Sequence, residues 1–201
     1  MATDAVCFQI IDDKLHVLLA KTPKHSPFPG EWALIGGVLH PFETAEEAVD
    51  RLLKEKAGIE KIYKEQVYTF STIDRDPRGR VVSIAYLTLT NTNPQDLSKA
   101  KLQTKWVPVS AVPKLAYDHN EMFEYVLKHL RFNLMNNDIT RYLSPSEFTL
   151  SELQKIYEAV LGKKIDKRNF RKKIASLSIL KPTKKVKKDG AMRPAKIFIF
   201  R

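Results

Sequence analysis

Gly36-Gly37-Val38-Leu39-His40-Pro41-Phe42-Glu43, then seven residues, then Arg51-Leu52-Leu53-Lys54-Glu55-Lys56-Ala57-Gly58-Ile59 is the stretch that decides the fold. Ala45, Ala48, Val49, Leu52 and Leu53 recur in it at helical spacing, behind the capping-box pair Thr44 and Glu47 and before a stop at Gly58. The spacing predicts a helix of about three to four turns. Paired glycines ahead of it, an acid beyond them and Arg-x-x-x-Glu on the helix make one long-range pattern. In that pattern Glu43 in the loop can pair with Arg51 on the helix and fix one onto the other.

Strand and helix signals alternate outward from this stretch. DAVCFQII and LHVLLAK are β-rich runs around Asp12-Asp13-Lys14, the form of a hairpin. QVYTFSTID and RVVSIAYLTLT read as strands joined through RDPRG, KWVPV as a short strand and NTNPQDLSKAK as a loop. A second helix opens at Asp118 with Glu121 three residues later, and carries Met122, Tyr125, Val126, His129 and Leu130. Polar sequence without a sustained period follows. The chain is accordingly divided into a domain at 1–135, a linker at 136–147 and a second domain at 148–201.

Charge divides at the same place. Residues 1–147 hold 18 Lys and Arg against 19 Asp and Glu, and residues 148–201 hold 16 against 4, so the net +11 comes wholly from the last 54 residues. A near-neutral body with a dense cationic end suggests a polyanionic partner. A Lys-rich solvated face is the plainer alternative. The 43% hydrophobic and 28% charged residues exclude wholesale disorder, and a single cysteine, Cys7, excludes a disulfide scaffold. No apolar run approaches the roughly 18 residues needed to cross a bilayer, and acids stand where a secretory signal needs a basic start, so a cytoplasmic protein is expected.

In the cationic end, Thr149 and Glu152 cap SELQKIYEAVLG, and Asp166 caps DKRNFRKKIASL. Two β-rich ends around Asp189-Gly190 complete a helix, turn, helix and basic hairpin, which together describe a winged helix-turn-helix. No first helix is evident within this end, and 119–133 is the candidate for it. Phe170, Ile174 and Leu177 form the inward stripe, so Arg168 and Lys172 point away from it with Asn169 and Arg171 on its shoulders. Arg, Lys and Asn are the side chains that read guanine and adenine edges in the major groove. Lys167 and Lys173 suit phosphates, and Lys184, Lys185, Lys187, Lys188 and Arg193 would form a wing over the DNA backbone or the minor groove. A membrane-binding amphipathic helix is disfavoured, because residues 148–201 hold no Trp and their aromatics are mostly at core positions.

In the body, the stretch from Gly37 to Ile59 resembles the Nudix box GX5EX7REUXEEXGU, with the glycines, Glu43, Arg51, Leu53, Glu55, Gly58 and Ile59 in register. Upstream, LLAKTPKHSPFPGEWALIGG is similar to the family's approach to the box. The resemblance implies a Nudix-type α/β/α sandwich with a mixed sheet, an α+β fold. It gives Glu43, Arg51, Glu55 and Gly58 structural roles, and places Lys21, Gly36 and Gly37 beside a bound ligand. Arg75 to Ser83, with Arg75, Asp76, Arg78 and Arg80, resembles the R-D-P-R-G-x-V-V-S segment of Nudix proteins that handle ADP-ribose or related dinucleotides. A self-compensating surface hairpin is its plainer reading.

Two departures fall at the family's metal-binding carboxylates, where this chain has Leu52 and Lys56. Neither side chain offers magnesium a hard anionic oxygen, so hydrolysis by the usual route, a metal site and a cofactor are not expected. An alternative leaves Glu46, Glu47, Asp50 and Glu55 to hold a displaced metal. Lys56 continues the stripe of Ala45, Val49 and Leu52, and its head reaches toward the place of the metal, where a fixed cation would neutralise a diphosphate. A Lys snorkelling to water is the competing reading. The five histidines lack metal spacing, and Cys7 in a strand reads as core.

Together these features resemble the Nudix-related transcriptional regulators of NAD metabolism (NrtR-like), nearly over the whole chain. That resemblance implies a homodimer, a Nudix domain that senses ADP-ribose or a related nucleotide or sugar phosphate, and a winged helix that binds a double-stranded DNA operator. No membrane partner is expected. A magnesium-dependent Nudix hydrolase of the ADP-ribose pyrophosphatase type with a basic nucleic-acid-binding tail is the alternative, and an interaction module that binds neither nucleotide nor phosphate is a third.

Overall fold

The computed structural model describes residues 1–60, 62–91, 97, 100–134, 136–188 and 194–201. Strands β1 (Ala2–Ile11) and β2 (Lys14–Lys21) form the expected hairpin. Asp12 and Asp13 both take left-handed φ, 49° and 58°, the pair of conformations whose twist matches that of the flanking strands. Around the hairpin stand β3 (Trp32–Ala33), β4 (Ile35–Val38), β5 (Tyr63–Phe70), β6 (Ser83–Leu89) and β7 (Thr104–Pro108). The main path of the sheet runs β3-β2-β1-β6-β5, with β4 also on β1 and β7 also on β2. The β1–β6 pairing is parallel and the others antiparallel, so the sheet is mixed.

Side chains alternate across β1 and meet a helix on each face. Ala5 and Cys7 pack with Val49, Leu52, Leu53 and Ala57 of α1 (Ala45–Ala57). Val6 and Phe8 pack with Met122, Phe123, Val126 and Leu130 of α2 (His119–Leu134). The result is the α/β/α sandwich that the sequence implied. Thr44 and Glu47 close their capping box, and Gly58 ends α1 with φ 69°. Cys7 is core: burial raises its thiol pKa to about 12.

Three expectations are corrected. The strand expected through Asp74 stops at Phe70, and the one expected from Arg80 starts at Ser83, because Arg75 and Asp76 fold inward onto ionic partners instead of joining the ladder. Asp118 does not spend its carboxylate on the start of α2 in the way expected, since both its oxygens accept from Arg75. The segment 136–147 is not a loose linker. It holds a 3-10 turn at Ile139–Tyr142, buries Ile139, Thr140, Leu143 and Ser144, and stacks Tyr142 on Tyr63 at 4.4 Å between ring centroids. Scattered apolar residues that fill the gap beside α2 carry no period, so composition alone reads them as linker.

Beyond it come β8 (Phe148–Thr149), α3 (Leu150–Leu161), α4 (Lys167–Leu177), β9 (Leu180–Lys187) and β10 (Ala195–Phe200), with the sheet order β8-β10-β9. Thr149 and Glu152 cap α3, and Asp166 caps α4. Phe170 and Ile174 are buried as the stripe required, with Phe170 edge-on to Tyr157 at 5.2 Å. The 3-10 turn and the last turns of α2 supply what the sequence left unclear before α3. Arg131 on α2 donates to Val160 O at 3.0 Å, and Lys155 on α3 reaches Asp13 at 2.7 Å. One apolar cluster runs from Phe8 through Leu130, Leu134, Ile139 and Leu143 to Leu153, Tyr157 and Ile174. The expected turn at Asp189-Gly190, Arg193, and most of the loop read over 91–101 lie outside the described residues.

Candidate effector cleft and nucleic-acid interface

Glu43 and Arg51 are joined as the spacing required. Arg51 Nε donates to Glu43 Oε2 at 2.8 Å and Nη2 to Oε1 at 2.5 Å, while Glu43 also accepts from His40 N at 2.7 Å. Hydrogen bonding from Arg51 pulls the Glu43 pKa down to about 2. The loop is thereby clamped to α1, and Gly36 and Gly37 are brought against the helix. A Cβ on Gly37 would lie 2.8 Å from Leu52 Cδ2, so this close approach requires glycine.

Beside the glycines opens a cleft of about 970 Å³, counted out to solvent. Its walls come from the starts of β1 and β4, the end of β2 with the residues after it, α1 and the segments before β6 and α2. Lys21, Gly36, Gly37, Lys56, Arg75, Asp76 and Arg78 all line it, and Arg80 does not. Arg80 is exposed and donates to Ser71 O at 2.5 Å, so its expected place in the effector set is corrected. Glu55 sits on the rim of α1, 4.0 Å from Lys101.

The lining cations are held in two ways. Arg75, 8% exposed, forks onto Asp118 at 2.7 and 2.8 Å, and Arg78 grips Asp76 at 2.6 and 3.0 Å. Lys21 and Lys56 instead donate to backbone carbonyls, of Gly30 and Gly36 respectively. Burial lowers the Lys56 pKa. An anionic ligand, whose charge offsets the hydration lost by this ammonium, would be favoured.

Asp4, Tyr117 and His119 also line the cleft, and sequence reasoning missed all three. His119 Nδ1 accepts from Leu34 N at 3.0 Å, which places its proton on Nε2, 3.5 Å from Asp4 Oδ1. Burial lowers its pKa, which favours the neutral ring. Tyr117 holds φ 56°, fixed by Ser26 at 3.1 Å and by Phe28 edge-on at 4.8 Å. The signal for Asp4 was present, as a carboxylate inside an otherwise apolar strand. His119 and Tyr117 gave no signal, since only the fold brings them to β1.

The acids of α1 have other partners. Glu46 accepts from Tyr86 Oη at 3.0 Å, Glu47 closes the helix cap and Asp50 pairs with Lys64. Among the described residues no three His, Cys, Asp or Glu side chains are grouped as metal ligands, and no helix is long and apolar enough to cross a membrane.

On α4, Lys167, Arg168, Asn169, Arg171 and Lys172 are exposed in one row, with Lys173 half-buried. Lys184, Lys185, Lys187 and Lys188 are exposed on and just after β9. Two of these are drawn back onto acids, Lys185 to Glu147 at 2.7 Å and Lys187 to Glu152 at 2.6 Å.

Comparison with known proteins agrees with this division. Residues 1–127 match the NUDIX domain family, and residues 141–200 match the NrtR DNA-binding winged helix domain. The chain is 32% identical, over all of its length and 81% of the relative's, to the ADPR responsive transcriptional repressor NtrR of Acinetobacter baylyi. It is 35% identical, over 57% of its length and 68% of the relative's, to an ADP-ribose pyrophosphatase of Methanocaldococcus jannaschii. Shewanella oneidensis NrtR complexed with a 27mer DNA matches all of this chain and 93% of its own, at 31% identity and a TM-score of 0.85. The NUDIX domain of the same protein complexed with ADP ribose matches 64% of this chain and 86% of its own, at 32% identity and a TM-score of 0.57. With a Nudix body and an NrtR winged helix in the same order as these full-length relatives, the chain belongs to the NrtR-like branch of the Nudix family.

Proposed function

We propose that this protein is a cytoplasmic DNA-binding transcriptional regulator that senses ADP-ribose, or a related nucleotide or sugar phosphate, and does not hydrolyse it. The observation that carries the reading is the full-length likeness to a repressor and to a DNA-bound structure, in a chain that joins a cation-lined cleft to an exposed basic helix. In this reading α4 enters the major groove, with Arg168, Asn169, Arg171 and Lys172 toward base edges. Lys167, Lys173 and the lysines of β9 meet phosphates. One winged helix covers few base pairs, so the protein acts as a homodimer on a pseudo-palindrome with half-sites about one helical turn or a multiple apart.

The cleft does not suit the family's magnesium. Leu52 is 3% exposed and packs in the core, the Lys56 ammonium donates to Gly36 O, and Glu43, Glu46, Glu47 and Asp50 are each engaged elsewhere. Lys56 instead serves as the fixed positive charge for a diphosphate. ADP-ribose should bind in excess EDTA, and Lys56→Ala should weaken it about ten- to a hundredfold, the worth of a charge-assisted contact. Binding seen only after magnesium is added would overturn the role of Lys56. The pyrophosphatase likeness of the body favours a second reading, a magnesium-dependent hydrolase with a nucleic-acid anchor. Incubation with ADP-ribose and magnesium, followed by product analysis, separates the two. Titration of DNA from upstream of its own gene, with and without ADP-ribose, tests the regulator directly.

A further inference from the structure

The floor of the cleft holds a carboxylate that anion binding alone does not call for. Asp4 on β1 is 5% exposed and lines the cleft. Ser83 Oγ donates to its Oδ2 at 2.5 Å, His119 Nε2 stands 3.5 Å from Oδ1, and Arg75 Nη2 stands 3.9 Å from Oδ2. Gly36 makes this placement possible, since a Cβ there would overlap Asp4 Oδ1. Enclosing a carboxylate is costly unless donors reach it, and the long separation from His119 leaves Oδ1 with room for a better donor.

The charge around it is balanced more closely than a polyphosphate needs. Lys21, Lys56, Arg75 and Arg78 line the cleft, but Asp118 holds Arg75, Asp76 holds Arg78, and Asp4 lies among them. Four cations against three carboxylates leave one net positive charge. That suits a diphosphate ester with about two negative charges better than a nucleoside triphosphate with about four. A phosphate oxygen brought to the floor meets a like charge, whereas a hydroxyl brought there donates to it.

We propose that Asp4 sets the class of effector: it accepts a hydroxyl of a sugar joined to the diphosphate and turns away terminal polyphosphate. The proposal rests on the reading of the cleft as a nucleotide-diphosphate site. A site built to hydrogen-bond a hydroxyl discriminates strongly against analogues that lack it. Ligand hydroxyl, Asp4 and Ser83 would then form a short chain at the inner end, with Lys21 and Lys56 on the phosphates.

The test is calorimetric titration of the full chain with ADP-ribose, ADP and ATP, in EDTA. Wild type should prefer ADP-ribose over ADP and over ATP by about tenfold or more. Asp4→Asn keeps the shape and removes the charge, so ADP-ribose should weaken, ATP should gain, and the preference should fall by about tenfold. Lys56→Ala should weaken all three ligands together and leave the preference in place, which a merely structural effect of Asp4→Asn would imitate. If Asp4→Asn does not fold, Ser83→Ala removes the carboxylate's internal donor without changing charge, so Asp4 accepts the ligand hydroxyl more strongly and the same preference should rise about threefold. A preference unchanged in the folded variant overturns the role of Asp4 and leaves the cleft reading standing. Wild type that binds none of the three overturns the cleft reading itself, and this proposal with it.

Discussion

Five cations of the body and four on α4 use the same kinds of side chain in opposite ways. In the body, Arg51, Lys54, Lys64, Arg75 and Arg78 each meet a carboxylate within 3 Å, so their charge is cancelled where it stands. On α4, Lys167, Arg168, Arg171 and Lys172 have no ion-pair partner among the described residues, and their charge faces outward in a row. Paired guanidiniums position a loop or a wall. Unpaired ones create a field, and a field rewards a partner with many regularly spaced negative charges. Net charge thus says less about what a region binds than the fraction of that charge left uncompensated.

The widest gap between the two regions should appear with salt. A dimer that neutralises roughly 6–10 phosphates should lose about 10³–10⁵-fold in DNA affinity between 50 and 200 mM salt. ADP-ribose binding in the enclosed cleft should change far less over that range, and parallel losses would break the contrast. Within the basic region, Arg168→Ala should cost about 1–3 kcal/mol on the specific site and relax base preference there. Lys187→Ala should weaken specific and random DNA alike, lowering the salt slope by at most about 1, since Lys187 must first leave Glu152 to reach a phosphate. Equal losses on both DNAs for both variants would show that α4 does not read bases.

The smallest effect concerns a paired cation. Glu43 has its pKa lowered to about 2 from 4.5 by Arg51, so the pair stabilises the fold fully above about pH 4.5 and loses that contribution as pH falls toward 2. Melting temperatures of wild type and Glu43→Gln should therefore differ most near neutral pH and converge in acid. A difference that stays constant from pH 7 to 2 would mean that the clamp does not depend on the carboxylate charge.

Much of this was legible beforehand, for reasons that are local. The caps at Thr44, Thr149 and Asp166, the stop at Gly58 and the stripe Phe170, Ile174 depend on residues within a turn or two of each other, which sequence spacing encodes. The Glu43–Arg51 clamp was reachable because loop and helix adjoin. What escaped was set by contacts across the chain. Asp118 faces Arg75 from 43 residues away and Asp4 faces Ser83 from 79, so neither the inner wall of the cleft nor the true role of Asp118 had a spacing to read. Arg80 misled for the complementary reason: it sits in a suggestive segment, but its side chain turns to Ser71 O. The folded 136–147 segment lacked a period because its apolar residues fit a gap rather than a face.

That filled gap also governs how the protein comes apart. Ile139 and Leu143 join the apolar side chains under the sheet to those beneath α4, so the core of the winged helix is closed partly by the body. The winged helix cut away at 148 would leave Phe148, Leu153 and Tyr157 without the side chains of α2 and the connector that cover them. Loosening of the body should therefore loosen the winged helix with it. Small-molecule occupancy of the cleft stabilises the body, and so steadies a basic helix that the molecule never touches.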